Sequence, residues 1–175
     1  MCPKIGIYYA SSGGRTRRVA GALAEILSER AYVEANDIRS AELAEMSNWD
    51  LLILGSPTYG SGELHPNWTN WNREIISMDL ELATTQIAVF ALGDQRHHRS
   101  TFGDAIWRLE ELRNKLGSPA VGEIEGPDGN GDRLPGLVLD AISQRRSIPS
   151  QLVLWAKKLF AELETEQQHV NALKS

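Results

Sequence analysis

The sequence contains a single cysteine, Cys2, and no apolar run close to the roughly 18 residues that a membrane span needs. One cysteine excludes an internal disulfide framework and any cysteine-based metal cluster, and no other metal-ligand spacing is present. An excess of basic charge is also missing: the formal net charge is -5 and the pI about 5.4, which argues against a dedicated nucleic-acid binder. The first residues lead directly into a strand pattern rather than a signal peptide. We therefore expect a soluble, cytoplasmic protein.

The 175 residues are enough for one domain with a sizeable core. Apolar runs typical of strands occur at residues 4–9, 31–36, 51–55 and 86–92, and 120–124 together with 136–139 forms an interrupted fifth strand. Amphipathic segments typical of helices lie at residues 14–28, 67–76, 102–116 and 150–163. This alternation predicts an α/β fold, a doubly wound five-stranded parallel sheet of order 2-1-3-4-5 with helices on both faces. The domain is expected to span residues 1–164, and residues 165–175 to form a flexible tail.

A turn rich in hydroxyl groups and glycine follows the first predicted strand. It reads Ser11-Ser12-Gly13-Gly14-Arg15-Thr16. Between a strand and a helix, such a turn points backbone N–H groups at an anion, which the helix dipole also favours. The turn lacks the lysine of a Walker A loop and is too short for a dinucleotide fingerprint. It suits the terminal phosphate of a mononucleotide, although by itself it is also compatible with an ordinary surface turn.

Two later loops lie at the same predicted sheet edge. The loop after the third strand reads Gly55-Ser56-Pro57-Thr58-Tyr59-Gly60-Ser61-Gly62-Glu63-Leu64, and the loop after the fourth reads Leu92-Gly93-Asp94-Gln95, followed by Phe102 and Asp104-Ala105. Together with the phosphate turn, these motifs resemble the flavodoxin family over about residues 3 to 164. The segment 136–140 resembles the strand that resumes after the insertion of long-chain flavodoxins, here with a shortened loop at 126–135.

The resemblance implies a tightly bound FMN and a role as a low-potential one-electron carrier, which shuttles electrons between a flavodoxin reductase and an acceptor protein. Such a protein is an electron carrier rather than an enzyme, and we expect it to be a monomer. The implied phosphate contacts are Ser11, Ser12, Gly13, Gly14, Arg15 and Thr16. The implied flavin contacts are Ser56, Pro57, Thr58, Tyr59, Gly60, Ser61, Gly62, Gly93, Asp94, Gln95 and His98. Tyr59 is expected to stack on the ring, and the Gly60–Ser61 peptide to flip and stabilise a neutral semiquinone. The alternative is an FMN-dependent NAD(P)H oxidoreductase that reduces quinones or other small acceptors on the same fold.

The chain departs from the family pattern at several positions. His98 stands where the family usually carries a tyrosine on the outer flavin face; it either stacks there, with a charge that depends on pH, or points to solvent. Gly13 replaces a hydroxyl residue, so one phosphate hydrogen bond is missing unless Ser12 supplies it. Arginines at the first and third loops predict a mixed or basic rim, which either faces a partner or is simply solvated. His65 is expected to face solvent.

Overall fold

The computed structural model describes residues 2–78, 80–126 and 131–173. Its strands are β1 (Lys4–Tyr9), β2 (Tyr32–Asp37), β3 (Leu51–Pro57), β4 (Gln86–Gly93), β5 (Ile124–Glu125), β6 (Arg133–Leu134) and β7 (Leu137–Asp140). Its helices are α1 (Arg15–Leu27), α2 (Asn67–Met78), α3 (Ala105–Lys115) and α4 (Ile148–Leu173). Short 3₁₀ segments lie at Ile38–Ser40, Leu43–Asn48 and Arg99–Thr101.

Five parallel strands form the central sheet, in the order β2-β1-β3-β4-β7. With β7 as the fifth strand, this confirms the predicted order 2-1-3-4-5. Because β1 lies between β2 and β3, the chain winds outward to β2 on one side of β1 and to β3 on the other. The loops after β1 and β3 therefore leave the same edge of the sheet side by side. The loop after β4 joins them, since Thr58 N–H donates to Leu92 O at 2.7 Å.

The sheet is buried on both faces, as continuous apolar runs such as Leu51–Leu54 require. One face packs against α1 and α4 through residues that include Leu23 and Trp155, and the other against α2 and α3 through residues that include Trp68 and Leu109. The Trp155 indole donates to Gly122 O at 2.7 Å, so its N–H is satisfied inside the core. Helices on both faces leave the carboxyl edge of the sheet open for a ligand.

The fifth strand is interrupted, as predicted. Ala120 forms an isolated parallel bridge with Ile87, and the ladder with β4 resumes only at Leu137. Between these points the chain forms the antiparallel hairpin β5–β6. Residues 127–130 of the predicted loop lie outside the described residues.

The last helix is longer than the sequence predicted. We expected it to end near Leu163, but helical backbone continues to Leu173. The flexibility expected of residues 165–175 stays a prediction. Glutamate, glutamine, alanine and leucine in this segment have good helix propensity, so a helix forms without an apolar stripe. Residues 174–175 lie outside the described residues. In the part of the chain that is described, no helix has the length and apolar character to cross a bilayer.

Candidate functional site

The turn after β1 presents unused backbone donors. Gly14 adopts the left-handed conformation, with φ 76°, and precedes α1 as its N-cap. Among the described residues, no protein acceptor receives the backbone N–H groups from Ser12 to Arg17. Such a row of free donors at a helix N-terminus is an anion-binding arrangement.

A cavity of about 380 Å³ lies against this turn and also contacts β2 and the segment after it. It is lined by Ser11, Ser12, Gly13, Gly14, Arg17, Asp37 and Arg39. The Asp37 carboxylate would oppose an anion, but Arg39 binds it through Nε at 2.9 Å and Nη2 at 3.0 Å. These hydrogen bonds lower the pKa of Asp37 and neutralise its charge. The Arg17 charge then leaves the cavity net positive.

A second cavity, of about 230 Å³, lies between the loops that follow β1, β3 and β4. It is lined by Arg15, Pro57, Thr58, Gly60, Leu92, Gly93, Asp94, His98, Thr101, Phe102 and Ala141. The hydroxyl oxygen of Thr58 is buried and has no hydrogen-bond partner among the described groups. Because a buried hydroxyl without a partner is costly, this atom points to a polar ligand group.

The loop after β3 closes as a tight hairpin. Tyr59 and Glu63 exchange two backbone hydrogen bonds of 2.8 Å, and Gly60 and Gly62 both have positive φ, 49° and 98°. A Cβ on Gly62 would lie 2.8 Å from Cβ of Asp104, whereas one on Gly60 would meet nothing within 4 Å. Space is therefore open on the side of Gly60 where a side chain would lie, and its positive φ is one that glycine adopts at little cost.

Tyr59, Ser12 and His65 form a hydrogen-bonded cluster between the two cavities. Ser12 Oγ lies 2.9 Å from the Tyr59 hydroxyl and 2.6 Å from His65 Nε2, and the tyrosine and imidazole rings meet edge to face at 5.0 Å. Asn67 N–H donates to His65 Nδ1 at 3.2 Å, so the neutral ring carries its proton on Nε2 and donates it to Ser12. The cluster fixes the phosphate turn to the loop after β3.

The prediction that His65 faces solvent was wrong. Its side chain is only 5% exposed, and its backbone N–H donates to the buried Ser56 hydroxyl. Burial lowers the pKa of His65; nearby Asp37 opposes that shift and Arg39 adds to it. Loop composition alone carries no signal of burial, but a histidine two residues before the start of α2 is well placed to accept from a free N–H group there.

The loop after β4 is organised by Asp94. Its carboxylate accepts from Arg96 N–H at 3.1 Å and contacts His97 Nδ1 at 2.7 Å, and its carbonyl accepts from His98 N–H. The His97 contact lowers the pKa of the Asp94 carboxyl. A Cβ on Gly93 would lie 2.6 Å from the Phe102 ring, so glycine is required for Phe102 to close this side of the second cavity.

The predicted site residues fall into three groups. Those that line one of the two cavities are Ser11, Ser12, Gly13, Gly14, Arg15, Pro57, Thr58, Gly60, Gly93, Asp94 and His98. Thr16 and Ser56 are buried beneath the loops. Tyr59, Ser61, Gly62 and Gln95 belong to the same loops but line neither cavity. Phe102, Arg17 and His65 lie at the site although the sequence did not assign them to it.

The sequence model of a family described as flavodoxin matches residues 7–140. The chain belongs to the flavodoxin family. It is 30% identical to a flavodoxin of Synechococcus elongatus over 167 residues, covering 91% of this chain and 97% of that one. It is 29% identical to a flavodoxin of Nostoc over 170 residues, covering 93% and 98%. These flavodoxins and the present chain match over nearly their whole lengths.

The fold is also that of solved flavodoxins. The structure of Fusobacterium nucleatum flavodoxin bound to flavin mononucleotide superposes with a TM-score of 0.80 at 25% sequence identity, covering 91% of this chain and 98% of that one. A cysteine-to-serine mutant of the flavodoxin from Pseudomonas aeruginosa gives a TM-score of 0.66 at 26% identity, covering 89% and 98%. Within the described residues of the present flavodoxin, no group of three or more His, Cys, Asp or Glu side chains is arranged to hold a metal ion.

Proposed function

We propose that this flavodoxin binds one FMN at the carboxyl edge of its sheet and carries single electrons between a reductase and an acceptor protein. The supporting observation is the convergence of the loops after β1, β3 and β4 on two neighbouring cavities, one surrounded by free N–H donors and the other containing a buried hydroxyl without a partner. Flavodoxins are electron-transfer proteins, and the Fusobacterium protein is bound to flavin mononucleotide.

The residues present fit this cofactor at both ends. The N–H groups from Ser12 to Arg17 suit a dianionic phosphate, and the Arg17 charge adds to the attraction. The unpartnered Thr58 hydroxyl and the apolar Leu92 and Phe102 side chains suit a flat, partly polar ring. Gly13 supplies no hydroxyl, but Ser12, held by His65, lies beside it.

We assign the contacts as follows. Phosphate contacts are Ser11, Ser12, Gly13, Gly14, Arg15 and Thr16. Ring contacts are Ser56, Pro57, Thr58, Tyr59, Gly60, Ser61, Gly62, Gly93, Asp94, Gln95 and His98. When bound, FMN supplies the redox chemistry, since it accepts and releases electrons one at a time.

The protein positions and tunes this cofactor. Reorientation of the Gly60–Ser61 peptide brings a carbonyl or an N–H group to the ring edge, and the open space around Gly60 keeps the cost of that change low. His98 lines the cavity and gains a positive charge when protonated, which would stabilise negative charge placed beside it. Leu92, which is buried, and the partly buried Phe102 line the cavity and would limit the water around a bound ring, which would strengthen these electrostatic effects.

Flavin binding tests the proposal directly. The purified protein should carry a flavin absorption spectrum, and its apoprotein should quench the fluorescence of added FMN at a ratio of one to one. Anaerobic titration should then resolve two separate one-electron steps. A colourless protein whose apoform leaves FMN fluorescence unchanged would rule out the cofactor. Rapid steady-state oxidation of NAD(P)H by the isolated protein would favour the oxidoreductase over the carrier.

A further inference from the structure

The carboxyl edge of the sheet carries a cluster of exposed arginines. They are Arg15, Arg17 and Arg18 after β1, Arg96 and Arg99 after β4, and Arg145 and Arg146 after β7. None of them forms an ion pair with a carboxylate of the described residues. By contrast Arg30, Arg39, Arg108, Arg113 and Arg133 are each paired.

The cluster is notable because the whole chain is acidic, with a formal net charge of -5. The carboxylates at the same edge offset it only in part. Asp37 is bound by Arg39, Glu63 contacts Arg108, and Asp140 is only 1% exposed, with Oδ1 accepting from two backbone N–H groups. Asp94, which is paired only with His97, and Asp104 have no arginine or lysine side chain as partner among the described residues, but the seven arginines outnumber these carboxylates. The molecule is therefore polarised: positive charge is concentrated beside the cofactor site and the excess negative charge lies elsewhere.

A groove runs through this cluster, between the start of α1 and the start of α4. Its volume is about 520 Å³, enough for a large side chain. Arg15, Arg18 and Arg145 border it, and Val19, Leu92 and Leu152 are among its apolar lining. Arg15, Leu92 and Ala141 line both this groove and the smaller cavity assigned to the flavin ring, so the two are contiguous.

An apolar floor with a charged border is the usual anatomy of a protein interface. The continuity with the cofactor cavity places any bound protein within short reach of the ring, and the arginines would attract negative charge and speed encounter. A nucleic acid fits less well, because the chain as a whole is acidic and would repel a long polyanion.

We propose that the arginine-bordered groove is the docking site for a redox protein with an acidic surface. Partner carboxylates meet Arg18 and Arg145, and one apolar partner side chain rests on the groove floor. This inference rests on the proposed electron-carrier function and specifies the charge of the partner.

Electron transfer to small charged oxidants tests the sign of the field at the cofactor. The reduced, FMN-loaded protein is mixed with ferricyanide or with hexaamminecobalt(III) between about 20 and 300 mM ionic strength. The rate with anionic ferricyanide should fall at least about threefold as salt rises, and the rate with the cationic oxidant should rise or stay constant. The opposite pattern would overturn the inference.

Variants locate the effect. The double variant Arg18→Glu/Arg145→Glu should abolish or reverse the salt dependence with ferricyanide. Arg73→Glu is the matched control, because Arg73 is an exposed arginine on α2 that forms no ion pair with a described carboxylate. The double control variant Arg73→Glu/Lys115→Glu changes the net charge by the same amount as Arg18→Glu/Arg145→Glu. Equal effects of both double variants would show that only net charge matters and would refute the site.

Association provides a readout that does not depend on electron transfer. Amide chemical shifts of the labelled protein are recorded with an acidic plant-type ferredoxin, with basic cytochrome c, and with a DNA oligonucleotide. The inference is supported if only ferredoxin changes the amide shifts of residues 15–19 and 141–152. These changes should disappear at high salt and in Arg18→Glu/Arg145→Glu. Shifts elsewhere, no association with ferredoxin, or equal binding of DNA overturn it. Because these shifts require no flavin reduction, loss of FMN binding would refute the carrier function separately.

Discussion

His65 Nε2 lies 2.6 Å from the hydroxyl oxygen of Ser12 and connects the turn after β1 to the loop after β3. The same hydroxyl contacts Tyr59, whose ring packs edge-on against the imidazole. Two loops that border the proposed FMN site are thus already hydrogen-bonded to each other. Such preorganisation reduces the ordering that a ligand would otherwise have to bring about.

Removing the imidazole should therefore weaken FMN binding. In His65→Ala, Ser12 and Tyr59 lose a shared partner, and the dissociation constant is expected to rise roughly 5- to 30-fold, as for one lost hydrogen bond of about 1–2 kcal/mol. Fluorescence titration of the apoprotein with FMN measures this. Asn70→Ala, which removes an exposed side chain on α2 away from both cavities, is the control. An equal loss in both variants would contradict a specific role for His65.

His65 should also make stability depend on pH. Its folded pKa lies below its ordinary value near 6.5, so the unfolded chain binds the proton first as the pH falls. The free energy of unfolding should be unaffected by His65 above about pH 7 and should decrease as the pH falls below about 6.5. Protonation would also place an N–H on Nδ1 opposite the Asn67 donor.

Urea denaturation of the apoprotein at pH 5 to 8 measures this dependence. The free energy of unfolding should vary with pH with a slope that His65→Gln flattens; an unchanged slope would exclude His65 as its source. Asp37 and Asp94, with lowered pKa values, act only in a more acidic range.

Substitutions at Gly60 and Gly13 test the proposed reorientation of the Gly60–Ser61 peptide. A Cβ at either position meets nothing within 4 Å, but only Gly60 has a positive φ. Gly60→Ala should cost about 1–2 kcal/mol of backbone strain and narrow the gap between the two one-electron potentials. Gly13→Ala should leave that gap unchanged. Potentiometric titration of both FMN-loaded variants measures it, and an unaltered gap in Gly60→Ala would count against a flip at this peptide.

His98 is expected to raise the potential of the second electron. It lines the cavity assigned to the ring, and its protonated form would stabilise negative charge there. His98→Tyr should make the second potential more negative, because tyrosine cannot carry a positive charge. Potentiometric titration of both FMN-loaded proteins at one pH measures the difference. Identical second potentials in the two proteins would mean that His98 does not act on the ring.

Substitution of Gly93 tests how tightly the Phe102 ring packs against the loop after β4. A Cβ there would lie 2.6 Å from Phe102 and 3.0 Å from the Gly103 nitrogen. Gly93→Ala should destabilise the apoprotein by about 1–3 kcal/mol, as overpacking does. Gly21→Ala, on α1 with open space around it, should be neutral or stabilising by roughly 0.5–1 kcal/mol. Urea denaturation compares them, and equal stabilities would show that Phe102 yields without cost.

The sequence predicted those parts of the molecule that depend on local pattern. The alternation of apolar strand patterns with amphipathic helices predicted the strand order, and that order predicted the edge at which the loops after β1, β3 and β4 meet. The parts that it missed depend on distant contacts. His65 can be buried because Ser12, more than fifty residues earlier, accepts a hydrogen bond from its ring N–H. No local sequence pattern contains that pairing. Residues 165–173 were missed for the opposite reason, because intrinsic helix propensity extends α4 without the apolar periodicity on which the prediction relied.

The hairpin β5–β6 interrupts the edge strand of the sheet without supplying any of its ladder partners. Ala120 bridges Ile87 before it, and β7 pairs with β4 after it. The closure entropy of a loop grows only with the logarithm of its length, so lengthening this hairpin should cost little as long as Ile124 keeps its packing against the core. It is therefore a natural position for an inserted tag or a variable module, at which the chain can diversify while the loops at the carboxyl edge stay intact.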